Sequence, residues 1–329
     1  MQEQQLQDLR REKWHLNGHP IRTLDDARQF IDSVGFCLLY PQRPPVLAPT
    51  FVGAFVGDDE KLPTAQTAFA DPRAREAKNL MVRLLRDKTA YEANVFAENN
   101  FLVSASVFPY FYGLVGDRNP KQAPKATTRS GYSPLAVDSF QLINKHGPIP
   151  KHRLREMLGK EITEAALDRS LDELWAKLRI TRVDYKQDEG VFWDILFRWA
   201  PDAVKEGMHV SFAESLTALV SKYLDGVLAA TQDEIENFFS PLIGRARVRE
   251  AVNALQAARE LSFVHVGGRV LLQVSSLQAA QVPASLPERA RPSEKDATPR
   301  NVRNMPLVRR PGRRTPAKSE KPRAKSDSQ

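Results

Sequence analysis

The residues of this 329-residue chain best placed by type and spacing to do chemistry are cationic. Arg245, Arg247 and Arg249 crowd into five positions, and Glu250 is the only acid before Glu260. Arg245 and Arg249 are four apart, so on a helix they share a face, away from the apolar stripe Val248, Val252 and Leu255. Arg269 follows the Gly267-Gly268 pair, at what would be the tip of a hairpin. Lys151, His152, Arg153 and Arg155 form a second, weaker basic face, suited to backbone contacts through Lys151 and Arg153. Guanidinium and ammonium groups spaced in this way suit the phosphates of a nucleic acid. They read equally well as a solvated face, or as partners for acids on a neighbouring domain.

Bond-breaking chemistry has less to stand on. Six histidines and one cysteine show no metal-ligand spacing, so neither a metal site nor a cofactor is expected. No phosphate-binding glycine loop and no Gly-x-Ser-x-Gly elbow occur. A carboxylate that activates water needs little signature, and Glu92, Glu98 and Asp138 are candidates, each expected at the surface. Trp175, Trp193 and Trp199 are expected to pack cores, and Cys37, within an apolar run, reads as a buried and inert thiol.

The elements that must position these residues are legible from periodicity. A short polar helix is expected over 2–14, and a second begins after Thr23, a plausible N-cap, and stops at Gly35. Prolines at 41, 44, 45 and 49 disfavour regular structure; a further helix runs over about 74–88, and 101–115 is an apolar, aromatic segment. Residues 117–133 read as a linker. From Pro134 onward helices are expected over about 135–145, 151–158 and 163–178, then strands over 180–185 and 191–195. The order recurs: helices over about 212–225, 231–239 and 244–260, then strands over 261–266 and 269–274 about a two-glycine hairpin turn.

The two stretches superimpose without a gap at an offset of 81, residues 148–183 on 229–264. Leu154 falls on Ile235, Leu167 on Val248, Leu171 on Val252 and Leu174 on Leu255. Three helices and a hairpin make a winged helix. The expected fold is therefore mainly α with small β-hairpins: a helical N-terminal region (1–116), a linker (117–133), tandem winged helix-turn-helix domains (134–200 and 201–280), and a tail (281–329). The third helix of the first copy is acidic, with Arg169 alone against five acids between 161 and 173, whereas that of the second is basic. The second copy is thus expected to contact DNA and the first to be mainly structural.

The net charge of +8 resides wholly in the tail, which holds 13 basic and 5 acidic residues and leaves 35 of each sign in residues 1–280. With eight prolines and few large apolar side chains, the tail is expected to be disordered. No apolar run approaches the ~18–20 residues of a membrane helix. With a charged N-terminus and a single cysteine, the chain is expected to be cytoplasmic.

Several stretches resemble the AlkZ/YcaQ-type winged-helix DNA glycosylase superfamily, and its AlkZ-related branch most closely. They are Phe30-Ile31-Asp32-Ser33-Val34-Gly35-Phe36-Cys37-Leu38-Leu39-Tyr40-Pro41, Phe108-Pro109-Tyr110-Phe111-Tyr112-Gly113-Leu114, and the run from Val191 through Trp193 and Trp199 to Pro201. The resemblance spans about residues 20–275 and implies a C-shaped, mostly helical protein holding double-stranded DNA in a basic concave face. It also implies excision of alkylated or crosslinked bases by a Gln-apolar-Asp or Gln-apolar-Gln motif that activates water. Here that motif falls on Leu38-Leu39-Tyr40. Leucine cannot activate water, and tyrosine, with an unperturbed pKa of about 10, is a poor base. The His-Glu-containing stretch of active relatives is replaced over about 104–112. The leading expectation is a DNA-binding tandem winged-helix protein, related to repair glycosylases, that lacks their usual catalytic motif. An active glycosylase and a protein-interaction scaffold are the alternatives.

Overall fold

The helix boundaries follow from local signals. Thr23 accepts a hydrogen bond from Asp26 N and opens α2 (Leu24–Val34), whose first-turn acids complement the helix dipole. Thr163 caps α8 (Glu164–Trp175) in the same way, and Thr231 with Glu234 forms a capping box at α12 (Gln232–Phe239). A computed structural model describes residues 2–275 apart from 97, 98 and 128–130. The described residues all belong to one unit, Met1–Pro283. The expected tail, 281–329, lies outside the described residues.

The architecture is mainly helical with small antiparallel sheets. In the first predicted block, α6 (Pro134–His146), β4 (Ile149–Pro150), α7 (Lys151–Leu158), α8, β5 (Ile180–Lys186) and β6 (Gly190–Ile195) follow in order, with sheet order β4-β6-β5. In the second, α11 (Phe212–Val227), α12, α13 (Arg245–Ala257), β7 (Leu261–Val266) and β8 (Arg269–Val274) repeat it. The offset of 81 carries α7 onto α12 residue for residue, and the bridge Ala230↔Leu272 stands where Ile149 pairs with Trp193. Gly267 and Gly268, at φ 54° and 80°, make the two-residue turn between β7 and β8, a conformation that side-chain-bearing residues resist.

Residues 1–116 depart from the expected helical region. After α1 (Glu3–Lys13) and α2 come β1 (Phe36–Leu38), α3 (Phe51–Val56), α4 (Pro72–Arg86), β2 (Ala90–Phe96) and β3 (Asn99–Ser104). The sheet order is β1-β3-β2, so both the element order and the strand order match those of the first block. The apolar segment 101–115 divides between β3 and α5 (Phe108–Val115). Its strand half went unrecognised because β1 and β3 are covered on both faces. Phe36, Leu38, Phe101 and Val103 join one core, Cys37, Leu39 and Leu102 another, and the period-2 alternation of a half-exposed strand disappears.

The first core continues into the second block. Phe36 stacks on Phe238 of α12 with ring centroids 5.7 Å apart, and the Tyr223 hydroxyl of α11 donates to Leu47 O at 2.8 Å. The first block has a separate core of Leu154, Leu167, Leu171, Leu174, Trp175 and Trp193. Two short helices, α9 (Leu196–Trp199) and α10 (Pro201–His209), join the blocks. The expected linker is pinned at its start. Buried Arg179 donates to Asp117 Oδ2 at 3.0 Å, to Asn119 O and to Gln122 O, while Arg118 donates to the carbonyls of Gly113, Gly207, Met208 and Val210. Two arginines thus fix a segment whose composition reads as loose. Among the described residues no helix is long and apolar enough to cross a membrane.

Candidate nucleic-acid interface

Helix α13 carries the three arginines singled out by spacing, and each already has a partner. Arg249 makes a forked pair with Glu236 of α12, Nε and Nη2 both at 2.9 Å, and Gln232 Nε2 donates to the same carboxylate at 2.9 Å. Glu236 is only 2% exposed. The hydrogen bonds from Arg249 and then Gln232 hold its carboxyl below the usual glutamate range, and the pairing raises the Arg249 guanidinium in turn. Arg245 Nη2 donates to Asn237 Oδ1 at 2.5 Å. Arg247 meets Glu250 at 3.1 Å on the open surface, where such a pair contributes little. Groups of their own block, Glu236, Asn237 and Glu250, bind these arginines, rather than acids of a neighbouring domain.

Arg269 does stand at the hairpin tip, 3.7 Å from Glu3 Oε1 of α1. That helix is seated on the hairpin: Leu6 packs with Val266 and Leu271, and buried Arg10 donates to Val227 O and Ala229 O. The tip is therefore shared with the N-terminal helix instead of projecting alone. In the first block, Lys151 Nζ lies 2.6 Å from Asp168 Oδ1 and 3.4 Å from Glu164 Oε2 of α8, and Arg153 meets Glu156 at 2.7 Å. Arg155 donates to Ile162 O at 2.7 Å and approaches Glu164 at 3.4 Å. The structure does not gather the predicted cations into one cluster. Arg245, Arg247 and Arg249 share α13, Lys151 and Arg153 share α7, and Arg269 sits beside α1.

The degenerate motif positions lie in the core. Leu38 and Leu39 are 1% and 0% exposed, and Tyr40 is buried as well. Burial, and then the charge of Glu92, pushes the Tyr40 hydroxyl up to about 12, further from any basic role at neutral pH. Leu38 opens onto a cavity of about 200 Å³ whose wall includes Trp14, Gln42 and Asp59. Burial likewise pushes the Cys37 thiol up, which fits an inert side chain.

Glu92 is not the surface residue it was expected to be. It is 2% exposed, its carboxylate meets Arg182 Nη1 at 2.9 Å, and its backbone carbonyl accepts from the Trp175 indole at 3.1 Å. Arg182 in turn lies 4.1 Å from the Trp175 ring centroid and 5.1 Å from that of Trp193. The carboxylate is a buried, paired strut between β2 and β5. The sequence held no signal of this, because its partner is 90 residues away. Asp138 is exposed on α6, and Glu98 falls outside the described residues. Trp175 and Trp193 pack edge to face in the first block's core as expected, and Trp199, partly buried, receives the Lys88 ammonium at 4.7 Å.

The fold has a solved counterpart. The Streptomyces sahachiroi DNA glycosylase AlkZ superposes with a TM-score of 0.57 at 14% identity, covering 85% of this chain and 71% of that one. No curated protein sequence matches the chain. The sequence pattern of the DNA glycosylase AlkZ-like family matches residues 70–299, more than half of the chain and beginning after the Leu38–Tyr40 segment. This chain belongs to the AlkZ-like DNA glycosylase family.

Proposed function

We propose that this protein binds double-stranded DNA through winged-helix blocks and does not excise bases by the motif chemistry of its family. The observation that carries the second half is the burial of Leu38 and Tyr40, which have no carboxylate or amide at the positions aligned with the motif. Family membership supports the first half, as does the order of three helices and a hairpin that the two blocks share. Residues 134–200 and 201–280 are read as two winged helices, with α13 of the second and the wing residue Arg269 among the contacts to the DNA backbone. An alkylated duplex incubated with the full chain should release no base above background, while the same duplex is retarded at low salt. Base release at a turnover rate typical of a repair enzyme would sink the non-catalytic reading. Absence of retardation would favour a protein partner.

An excision reading has one observation on its side. The cavity beside Leu38 has an amide, Gln42, and a carboxylate, Asp59, among its lining residues, the two functional groups that the family motif uses. Asp59 is held at 2.8 Å by Arg11. If this reading holds, base release is abolished by Asp59→Asn.

A further inference from the structure

Helix α4 occupies the place in its block that α8 and α13 occupy in theirs: last helix before the hairpin, in an order and a sheet topology shared with the first block. Its buried side is continuous, with Ala74, Ala77, Leu80, Met81, Leu84 and Leu85 all in the core. This leaves one narrow exposed face on which Arg75, Asn79 and Arg83 recur at intervals of four. The other cations of α4 are engaged. Arg73 is held by Asp71 at 2.8 Å, Arg86 by Asp184 at 2.6 Å, and the Lys78 ammonium lies 3.9 Å from the Tyr185 ring centroid. Arg75 and Arg83 make no ion pair among the described residues. Just ahead of the helix, Phe69 is 84% exposed on a 3-10 turn, Ala68–Ala70, closed by backbone hydrogen bonds.

From this placement we infer that α4 is the helix that reads duplex DNA, with Arg75, Asn79 and Arg83 facing base edges and phosphates in the major groove. The inference rests on the DNA-binding reading above and assigns it a different element. Eight residues of helix span about 12 Å, and the groove is about 12 Å wide. Asparagine matches the paired donor and acceptor of adenine, and arginine those of guanine or a phosphate oxygen. Phe69, held out on a braced turn, supplies the apolar contact that a thymine methyl accepts. Helix α8 presents acids, and the arginines of α13 are already committed to Glu236, Asn237 and Glu250. The one acid on α4, Glu76, borders the stripe and opposes a phosphate there.

The test is fluorescence anisotropy of the full chain on a duplex pool across a salt series, followed by selection from randomised duplexes. Arg75→Ala with Arg83→Ala should weaken binding by about tenfold or more and reduce the salt slope by about 2. Glu76→Gln should tighten binding, a gain that misfolding cannot mimic. Asn79→Ala should change the selected sequences while leaving the slope in place. If the full chain binds and the double variant keeps its affinity and slope, while Arg245→Ala with Arg247→Ala loses both, the inference falls and DNA binding stands. If the full chain does not bind at low salt, the DNA reading falls and takes the inference with it.

Discussion

The two blocks related by the offset of 81 fasten their second and third helices with charges of opposite order. In the first, cations on α7 (Lys151 and Arg155) reach acids on α8 (Asp168 and Glu164). In the second, acceptors on α12 (Glu236 and Asn237) take hydrogen bonds from arginines on α13 (Arg249 and Arg245). Position by position, Arg155 and Asp168 correspond to Glu236 and Arg249, but in the first block they pair with Glu164 and Lys151 and not with each other, so the charge order is reversed while the pairing itself differs. An acidic third helix in one copy and a basic one in the other therefore need not mean that one copy meets DNA and the other does not. Part of the contrast is two solutions to one packing problem. The blocks also differ in depth: the core of the first is its own, whereas that of the second runs into β1 and β3.

That difference in cores gives the largest expected effect. Phe238→Ala removes a ring that touches Phe36, Phe101, Tyr223 and Phe239, and should cost about 3–5 kcal/mol. Leu171→Ala should cost about 2–5 kcal/mol. Hydrogen exchange separates the two: Phe238→Ala should loosen β1 and β3 as well as α11 and α12, and Leu171→Ala only residues 134–195. Deprotection confined to 212–274 in the Phe238 variant would show that the shared core is not a cooperative one.

The charge order supplies the next test. Glu236→Arg should lower the melting temperature, since it sets two cations against each other beside a buried position, and adding Arg249→Glu should recover most of the loss. Lys151→Glu, on a more exposed helix with carboxylates as neighbours, should cost less. If the double variant is no better than the single, the Glu236–Arg249 link depends on more than opposite charge at the two positions.

Acid titration gives the smallest effect, with opposite signs in the two blocks. Glu236 titrates lower in the folded chain than in the unfolded one, so its contribution is present above the ordinary glutamate value of about 4.3 and is lost as pH falls through its own lower one. Glu236→Gln should therefore flatten the acid limb of a stability profile. In the first block, burial raises Asp172 above the ordinary aspartate range, against the charge of Arg182. Its protonated form favours the fold at low pH, and that contribution fades as pH rises through the raised value. Asp172→Asn should accordingly leave acid stability near that of the parent and raise stability slightly at neutral pH. Equal acid limbs for Glu236→Gln and the parent protein would remove the contrast.

Much of the local helical structure was legible before any coordinates. The cap at Thr23, the helix start at Thr231, the stop at Gly35 and the two-glycine turn act within a few residues. The predicted apolar stripes of α8 and α13 are the buried ones. The N-terminal sheet was not legible, because strands covered on both faces lose their alternation. The candidate interface was legible only as composition. Which arginine has a partner, whether Glu92 is a surface acid or a buried strut, and that 117–122 is clamped by Arg118 and Arg179 depend on groups far apart along the chain.

Residue order alone fixed the helices, their caps, the repeat and the confinement of net charge to 281–329, because propensity, periodicity and capping act over a turn or two of backbone. Tertiary structure decided which charges are free. An arginine's availability is set by the carboxylate that folding brings within about 3 Å, and on α13 tertiary packing brings Glu236 to Arg249, whereas Arg247 meets Glu250 of its own helix. On α4 it leaves Arg75 and Arg83 open, in a helix whose length and stripe were plain but whose outward face could be known only once its neighbours were in place.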